Sequence, residues 1–375
     1  MAKLGEVFTI ASGGTPDKKK PLHYENGTIP WVKTGDLKTQ YVPEGIECIT
    51  EEGLDNSSAK LFPPNTVLVA MYGATIGACS ILPYEAATNQ ACAAFLPNEN
   101  VLPTYLYYFL SSKREQFVKD GVGGAQPNIS AGYLKNVQFG LIPMQQQIDI
   151  VEKLDKVEKL IALRKEQLAK LDELVKSRFI ELFIDKGYPT KTVDEVSLGK
   201  GEYGAQSASI KYDPTRPRYV RITDINDDGT LNDDVVASIN PDDDEQYRLE
   251  YGDFMFARMG ATVGKTYAFI TGNQIFAGYL IRYKLNQKLI NPRYLFWYTR
   301  LDEYWNWVKL NQSGAAQPGI NAKKYGSLRI PVPPIEQQEQ FATFVEQTDK
   351  SKLAIQQSLA ELETLKKALM QKYFG

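Results

Sequence analysis

Between Pro143 and Phe183 apolar residues recur every seven positions, at Leu154, Ile161, Leu168, Val175 and Leu182. Val157 and Leu171 fill intervening slots of the same seam, Arg164 and Arg178 occupy the others, and Lys, Glu, Asp and Gln cover the remaining faces. A heptad held over about four repeats predicts a coiled-coil helix. Pro143 marks its start, because a residue without a backbone N–H and with a locked φ breaks a helix interior. The pattern returns 191 residues later, where Pro334 stands for Pro143 and Gln337 and Gln338 stand for Gln146 and Gln147. The second seam reads Val345, Thr348, Lys352, Ile355, Leu359, Leu362, Lys366, Leu369 and Tyr373. The cations at seam positions (Arg164, Arg178, Lys352, Lys366) are expected to lay their stems along a two-helix seam and carry their charges outward. Register setting or partner contact is the other reading of them.

A duplicated helix implies a duplicated chain, and the rest of the repeat is present. Pro30 to Leu37 aligns with Arg218 to Ile225, Gly73 to Gly77 with Gly260 to Gly264, Leu102 to Phe109 with Asn291 to Tyr298, and Gly123 to Ile129 with Gly314 to Ile320. The offset drifts only between 187 and 191. In each copy short β-rich runs are separated by Gly, Pro, Asn and Asp turns. Thr66 to Leu82 reads as a hairpin, Asn89 to Leu96 as a strand, and Pro103 as the first residue of a helix. Val137 to Ile142 is the last strand before the long helix. The expected fold class is α+β, ordered globule, helix, globule, helix, with pseudo-twofold character: residues 1–143, 144–184, 185–333 and 334–375.

Composition excludes more than it suggests. At 375 residues, 43% hydrophobic and 23% charged, the chain is ordinary for a soluble globular protein of two or three domains. The uncharged run Leu61 to Tyr84 is opened by Pro63 and Pro64 and broken by Gly73 and Gly77, so a buried hairpin is expected, not a membrane span. Three cysteines, Cys48, Cys79 and Cys92, have no metal-ligand spacing and suggest reduced thiols in a cytoplasmic protein. The single histidine, His23, sits in a basic loop and is expected to be solvated; one histidine cannot furnish a triad or a zinc cluster in both copies. Gly260 to Thr266 imitates a phosphate-binding loop but has three residues between its glycines where four are needed, and it precedes a strand-like run. Asn291-Pro292-Arg293-Tyr294 imitates the Asn-Pro-Pro-aromatic motif of amino-methyltransferases, yet position 293 is Arg and the first copy lacks the Asn. Helix capping with Pro in the first turn explains both copies.

The phrases Ser12 to Pro16, Ile29 to Leu37, Met71 to Gly77, Thr88 to Ala94, Gln126 to Ser130 and Ile330 to Gln338, with the two long helices, resemble the specificity subunit of type I restriction-modification systems. The resemblance covers essentially the whole chain. It implies two α/β target-recognition domains (1–143 and 185–333), each reading half of a bipartite double-stranded DNA site. They are separated by two long antiparallel coiled-coil spacer helices (144–184 and 334–375). It further implies two modification subunits docked on the helices and restriction subunits bound through them. S-adenosylmethionine, ATP and Mg²⁺ belong to those partners; this chain itself carries no cofactor, metal, catalytic site or membrane segment. A helix of about 40 residues is roughly 60 Å long, the scale of two turns of B-DNA, about 68 Å. The competing readings are a nuclease or methyltransferase with an unrecognised carboxylate-lysine site, and a coiled-coil assembly protein with no DNA role.

A formal net charge of −2 is low for a DNA reader. Acidic runs at Asp227-Asp228, Asp233-Asp234 and Asp242 to Glu245 are expected to face away from DNA. A basic face is expected from Lys18, Lys19, Lys20, Lys33 and Lys38 in the first globule. In the second it would comprise Lys211, Arg216, Arg218, Arg221, Arg258, Lys265, Lys323 and Lys324. The candidate base readers are Lys33, Thr34, Tyr72, Thr75, Gln126 and Asn128, then Arg221, Thr223, Arg258, Thr262, Lys265, Gln317 and Asn321. Arg or Lys suits guanine, and Asn or Gln suits adenine. The divergent islands Pro16 to Tyr24 and Tyr203 to Tyr212 are equally good places for such contacts. Asp36 and Asp224 are expected to shape turns.

Overall fold

A computed structural model of the chain describes residues 1–122, 128–239, 245–314 and 318–375. The chain divides into two compact units, Met1–Lys165 with Gln357–Gly375, and Glu166–Gln356. The division runs through both long helices, Met144–Phe183 and Ile335–Phe374, each of 40 residues.

In the first unit the expected hairpin is formed by Val67–Ala70 and Cys79–Ile81, antiparallel with Val67 opposite Ile81 and Val69 opposite Cys79. Its connection is a 3₁₀ turn, Gly73–Thr75, with φ of +65° at Gly73 and +74° at Gly77. Those angles strain any residue with a Cβ, which is why glycine stands at both ends of the turn. The hairpin lies in an antiparallel sheet ordered Ile10–Ser12, Cys92–Phe95, Val67–Ala70, Cys79–Ile81. A second sheet is ordered Cys48–Ile49, Ile29–Val32, Ala86–Thr88, Leu61–Phe62, and its central pair is parallel. The helix Pro103–Ser112 covers the first sheet with Tyr105, Leu106, Tyr108, Phe109 and Leu110 buried. Val151 and Leu154 of the first long helix and Phe374 of the second complete the same core. At roughly 1.5–3 kcal/mol per fully buried large apolar side chain, these helix residues are part of the unit's stability as well as its connections.

The second unit repeats the scheme. One antiparallel sheet is ordered Glu202–Tyr203, Leu280–Lys284, Asp253–Ala257, Thr266–Ala268. The other is ordered Ser209–Lys211, Ala237–Ile239, Arg218–Val220, Gln274–Phe276. The copies share three strands of this second sheet and differ in the fourth. The first unit adds Leu61–Phe62 beside Ala86–Thr88, and the second adds Ser209–Lys211 beside Ala237–Ile239. The core is aromatic: Phe179, Phe183, Tyr294 and Phe341 meet with centroid distances of 4.9–5.5 Å. Asn291 caps the helix Pro292–Tyr298 by accepting from Arg293 N at 2.9 Å, as the capping reading of this motif expects. Gly260–Thr262 is a turn leading into the strand Thr266–Ala268, not the start of a helix.

Within each unit the long helices run antiparallel. In the first, Lys366 pairs with Glu158, Lys165 with Glu363 at 3.5 Å, and Arg164 Nε donates to Ser358 Oγ at 3.2 Å. In the second, Lys352 pairs with Asp172, and Phe341 packs on Phe179. The seam lysines therefore run their stems along the partner helix and end on its carboxylates. Arg178 departs from expectation. It is exposed and pairs with Glu181 at 2.7 Å on its own helix. The heptad gives way after Val175 to a four-residue spacing, Val175, Phe179, Phe183, all buried, and Leu182 is only half-buried.

His23 also departs from expectation. It is 1% exposed, not solvated, and neither ring nitrogen has a partner among the described residues. The 3₁₀ turn Pro21–His23 turns it inward, where its backbone carbonyl accepts from Thr50 N at 3.0 Å. Among the described residues no helix is long and apolar enough to cross a membrane, and no cluster of three His, Cys, Asp or Glu could hold a metal ion.

Candidate nucleic-acid interface

In each unit two turns are tied together by one short segment. In the first unit, Asn89 N donates to Val32 O at 3.0 Å and Met71 N donates to Ala91 O at 2.8 Å. The segment Asn89–Ala91 thus links the turn after Ile29–Val32 to the turn after Val67–Ala70. In the second, Ala277 N donates to Val220 O at 2.9 Å and Arg258 N to Tyr279 O at 3.0 Å. A third segment joins each site: Ile129 N donates to Met71 O and Ile320 N to Arg258 O, both at 2.9 Å.

The first-unit candidates fall on these turns. Lys33 precedes the 3₁₀ turn Thr34–Asp36, whose Asp36 carboxylate accepts from Lys33 N at 2.8 Å, the turn-shaping role expected of it. Lys33 Nζ reaches Glu47 at 2.5 Å and lies 5.9 Å from the Trp31 ring centroid. The hydrogen bond to Glu47 raises the lysine's pKa and keeps it charged. Thr34 is half-buried. Tyr72 is exposed and bridges Asn128, which exchanges backbone hydrogen bonds with Val122 at 2.9 and 3.0 Å. Thr75 Oγ1 donates to Tyr72 O at 3.0 Å. Tyr72, Thr75 and Asn128 are thereby brought together. Gln126 and Gln317 lie outside the described residues, as does the acidic run Asp242 to Asp244.

In the second unit Thr262 Oγ1 donates to Met259 O at 3.1 Å, matching Thr75. Met259 bridges Gly319, matching Tyr72 and Asn128. Asn321 caps the short helix Ala322–Gly326 by accepting from Lys324 N at 2.9 Å. Thr223 is exposed and donates weakly to Asp224. Arg221 forks onto the buried Asp224 through Nε at 3.0 Å and Nη2 at 2.8 Å, and Nη2 also donates to Val235 O at 2.9 Å. Lys265 pairs with Asp227 at 2.8 Å and donates to Ile225 O at 3.1 Å. The expected basic face of this unit is thus partly neutralised, since Arg216, Arg218, Arg221 and Lys265 pair with Asp213, Asp233, Asp224 and Asp227 respectively. The acidic runs Asp227-Asp228 and Asp233-Asp234 supply two of those partners.

Arg258 is different. Its guanidinium lies 4.9 Å from the Tyr203 ring centroid and 5.6 Å from that of Tyr279, and Nε donates to Gly278 O at 3.2 Å. Tyr203 opens the divergent island Tyr203 to Tyr212. Tyr279 was not foreseen; the signal for it is a tyrosine standing where the first copy has Ala91, immediately before the matching strand.

The description "type I restriction modification DNA specificity domain" matches this chain twice, over residues 1–173 and 190–364. The chain belongs to the type I restriction modification DNA specificity family. Among relatives of this family, the type I restriction enzyme EcoR124I/EcoR124II specificity subunit of Escherichia coli is 31% identical over 162 residues, 42% of this chain and 40% of that one. The MjaIX specificity subunit of Methanocaldococcus jannaschii is 30% identical over 190 residues, 49% of this chain and 44% of that one. The aligned part thus spans less than half the length of either relative. The StySPI specificity subunit of Salmonella potsdam aligns over all of this chain and 88% of its own length at 20% identity. The fold is also shared with solved structures. A chain from a structure of type I R-M complex assembly and conformational transition has a TM-score of 0.63 at 19% identity, covering all of this chain and 96% of that one. The S subunit from M. genitalium has a TM-score of 0.59 at 15% identity, covering all of this chain and 95% of that one. Each specificity-domain match contains one of the two tied-turn sites described above.

Proposed function

We propose that this chain is the DNA sequence-recognition subunit of a type I restriction enzyme and carries no catalytic site of its own. The observation that carries the reading is the duplication of one tied-turn site, once within each family match. Each unit reads one half of a bipartite double-stranded DNA site, using polar side chains on those turns: Lys33, Thr34, Tyr72, Thr75, Gln126 and Asn128 in the first, and Arg221, Thr223, Arg258, Thr262, Lys265, Gln317 and Asn321 in the second. Two copies of one scaffold with different side chains suit two different half-sites. The paired helices set the spacing between half-sites and offer the docking surface for two modification subunits, with restriction subunits bound through them. Those partners hold the S-adenosylmethionine, ATP and Mg²⁺ chemistry, and the complex works in the cytoplasm. The names of the relatives support this assembly. Electrostatic attraction from the chain alone is weak at a net charge of −2, so tight binding belongs to the assembled enzyme.

The test is to combine the chain with its modification subunit and map methylated adenines across a genome. The expected result is a bipartite motif that requires both proteins. Methylation or cleavage by the chain alone overturns the reading. Exchange of residues 1–143 for those of a relative changes one half-site and leaves the other. Insertion of one helical turn in both long helices alters the number of unread base pairs and leaves both half-sites intact.

A further inference from the structure

We infer that Arg258, held against the rings of Tyr203 and Tyr279, reads a guanine in the half-site of the second unit. The inference rests on the DNA-recognition reading above and names the residue and base that give part of its specificity. Three observations carry it. The first is the way the guanidinium is held. Two tyrosine rings and the carbonyl of Gly278 fix its plane, and the backbone beneath it is pinned on both sides by Tyr279 O and Ile320 N. Cation–π attraction makes both ring contacts favourable even at a solvent-facing site.

The second is what the guanidinium does not do. Among the described residues its two terminal nitrogens have neither a hydrogen bond nor an ion pair, whereas Arg216, Arg218, Arg221, Arg248, Arg282 and Arg293 of the same unit each hold a carboxylate. Tyr203 and Tyr279 remain 42% and 53% exposed, so this arrangement is open to a ligand.

The third comes from the internal repeat. Met71 makes the same two backbone hydrogen bonds as Arg258, so the two positions are equivalent. By the same register Tyr279 corresponds to Ala91. Tyr203 corresponds to Ser12, since Tyr203 faces Ile281 as Ser12 faces Ala93. The first unit builds the same backbone with Ser12, Met71 and Ala91. The scaffold therefore does not need this arrangement, which occurs in only one of two copies that must read different bases. A planar fork with both terminal nitrogens presented together matches O6 and N7 of guanine in the major groove. A phosphate contact needs no such fixed plane and is served as well by a lysine.

The experiment uses the full chain assembled with its modification subunit, assaying methylation of duplexes in which each base of the second half-site is varied. Wild type is expected to require one guanine that R258A and R258K no longer distinguish, a loss of roughly 10- to 100-fold at that position. Every other position and the whole first half-site stay unchanged. R258Q is expected to move the preference at that position toward adenine. Y279F is expected to behave as wild type and Y279A to lose part of the discrimination. Thermal melts of each variant establish folding, and R258K and R258Q carry the test where R258A melts early. Two results overturn the inference while leaving the DNA-recognition reading intact: an unchanged guanine requirement in R258A, or weakening on all duplexes alike that R258K restores. A wild-type assembly with no bipartite preference overturns the reading itself, and this inference with it.

Discussion

Gln338 holds Asn291 at the start of a helix: its side-chain oxygen accepts from Asn291 N at 2.9 Å. The same buried amide donates to Pro333 O at 2.8 Å and to Leu289 O at 3.1 Å. Gln147 does the same in the first unit, accepting from Leu102 N at 2.9 Å and donating to Asn100 O at 2.8 Å and Ile142 O at 2.9 Å. Both side chains are 0% exposed, so each amide satisfies three backbone groups from within the protein interior. An orphaned buried polar group costs about 1–3 kcal/mol. Gln338→Ala and Gln147→Ala are each expected to lower stability by roughly 2–4 kcal/mol in urea titrations. A loss below about 1 kcal/mol would mean that the clamp adds nothing to packing.

The end of the first long helix tests the observed seam against the heptad. Phe183 is 2% exposed and stacks edge-on to Tyr294, with centroids 4.9 Å apart. Arg178 lies in solvent with Glu181. Phe183→Ala is expected to cost about 3–5 kcal/mol through lost burial and the cavity left behind. Arg178→Ala is expected to stay within about 0.5 kcal/mol of wild type. If the heptad continued to Leu182, the order of the two costs would reverse in the same denaturation series.

These residues also mark how far the sequence could be read. Periodicity located both long helices, both hairpins and the duplication, because heptads, glycine pairs and prolines act locally. The change of spacing at Val175 follows from where aromatic partners such as Tyr294 and Phe341 lie, and a seven-residue pattern has no access to that. His23 was hidden for a similar reason. Its neighbours Lys18 to Lys20 read as solvated, but the turn Pro21–His23 reverses the side chain into the protein. The candidate site was legible as turns, since Asp36 and Asp224 shape them as expected. Which cations remain free was not legible. Arg221 and Lys265 find Asp224 and Asp227 through folded loops, and Arg258 finds Tyr279 only through strand register.

The seam lysines give a test of what sets the helix pairing. Lys352 keeps a side chain only 18% exposed and ends on Asp172, which is 65% exposed. An ion pair whose carboxylate stays this exposed contributes at most about 1 kcal/mol, while a leucine at this seam position has no charge to desolvate and packs its branched end on the partner helix. Lys352→Leu is expected to raise stability by about 1 kcal/mol, because Asp172 stays hydrated without its partner. A loss of comparable size would show that the ion pair outweighs the burial gained. Lys366→Leu, opposite Glu158, is the parallel test in the first unit.

Cysteine chemistry separates the three thiols. Cys79 is 7% exposed and Cys92 fully buried, while Cys48 is half-buried. Burial pushes the Cys79 thiol up to about 12 and raises that of Cys92. The thiolate is the reactive form, so both stay protonated at pH 9 in the folded chain, whereas an unfolded thiol ionises above about 8.5. The native chain is expected to take up one maleimide at pH 8 to 9, at Cys48, and the urea-unfolded chain three, counted by mass. Between about pH 8.5 and about pH 12 the unfolded state has lost protons that the folded state keeps, so stability falls as pH rises through that window. Urea midpoints should therefore drop between pH 8 and pH 10, and the drop should shrink in Cys79→Ala. Rapid labelling of Cys79 or Cys92 in the folded chain would contradict their burial.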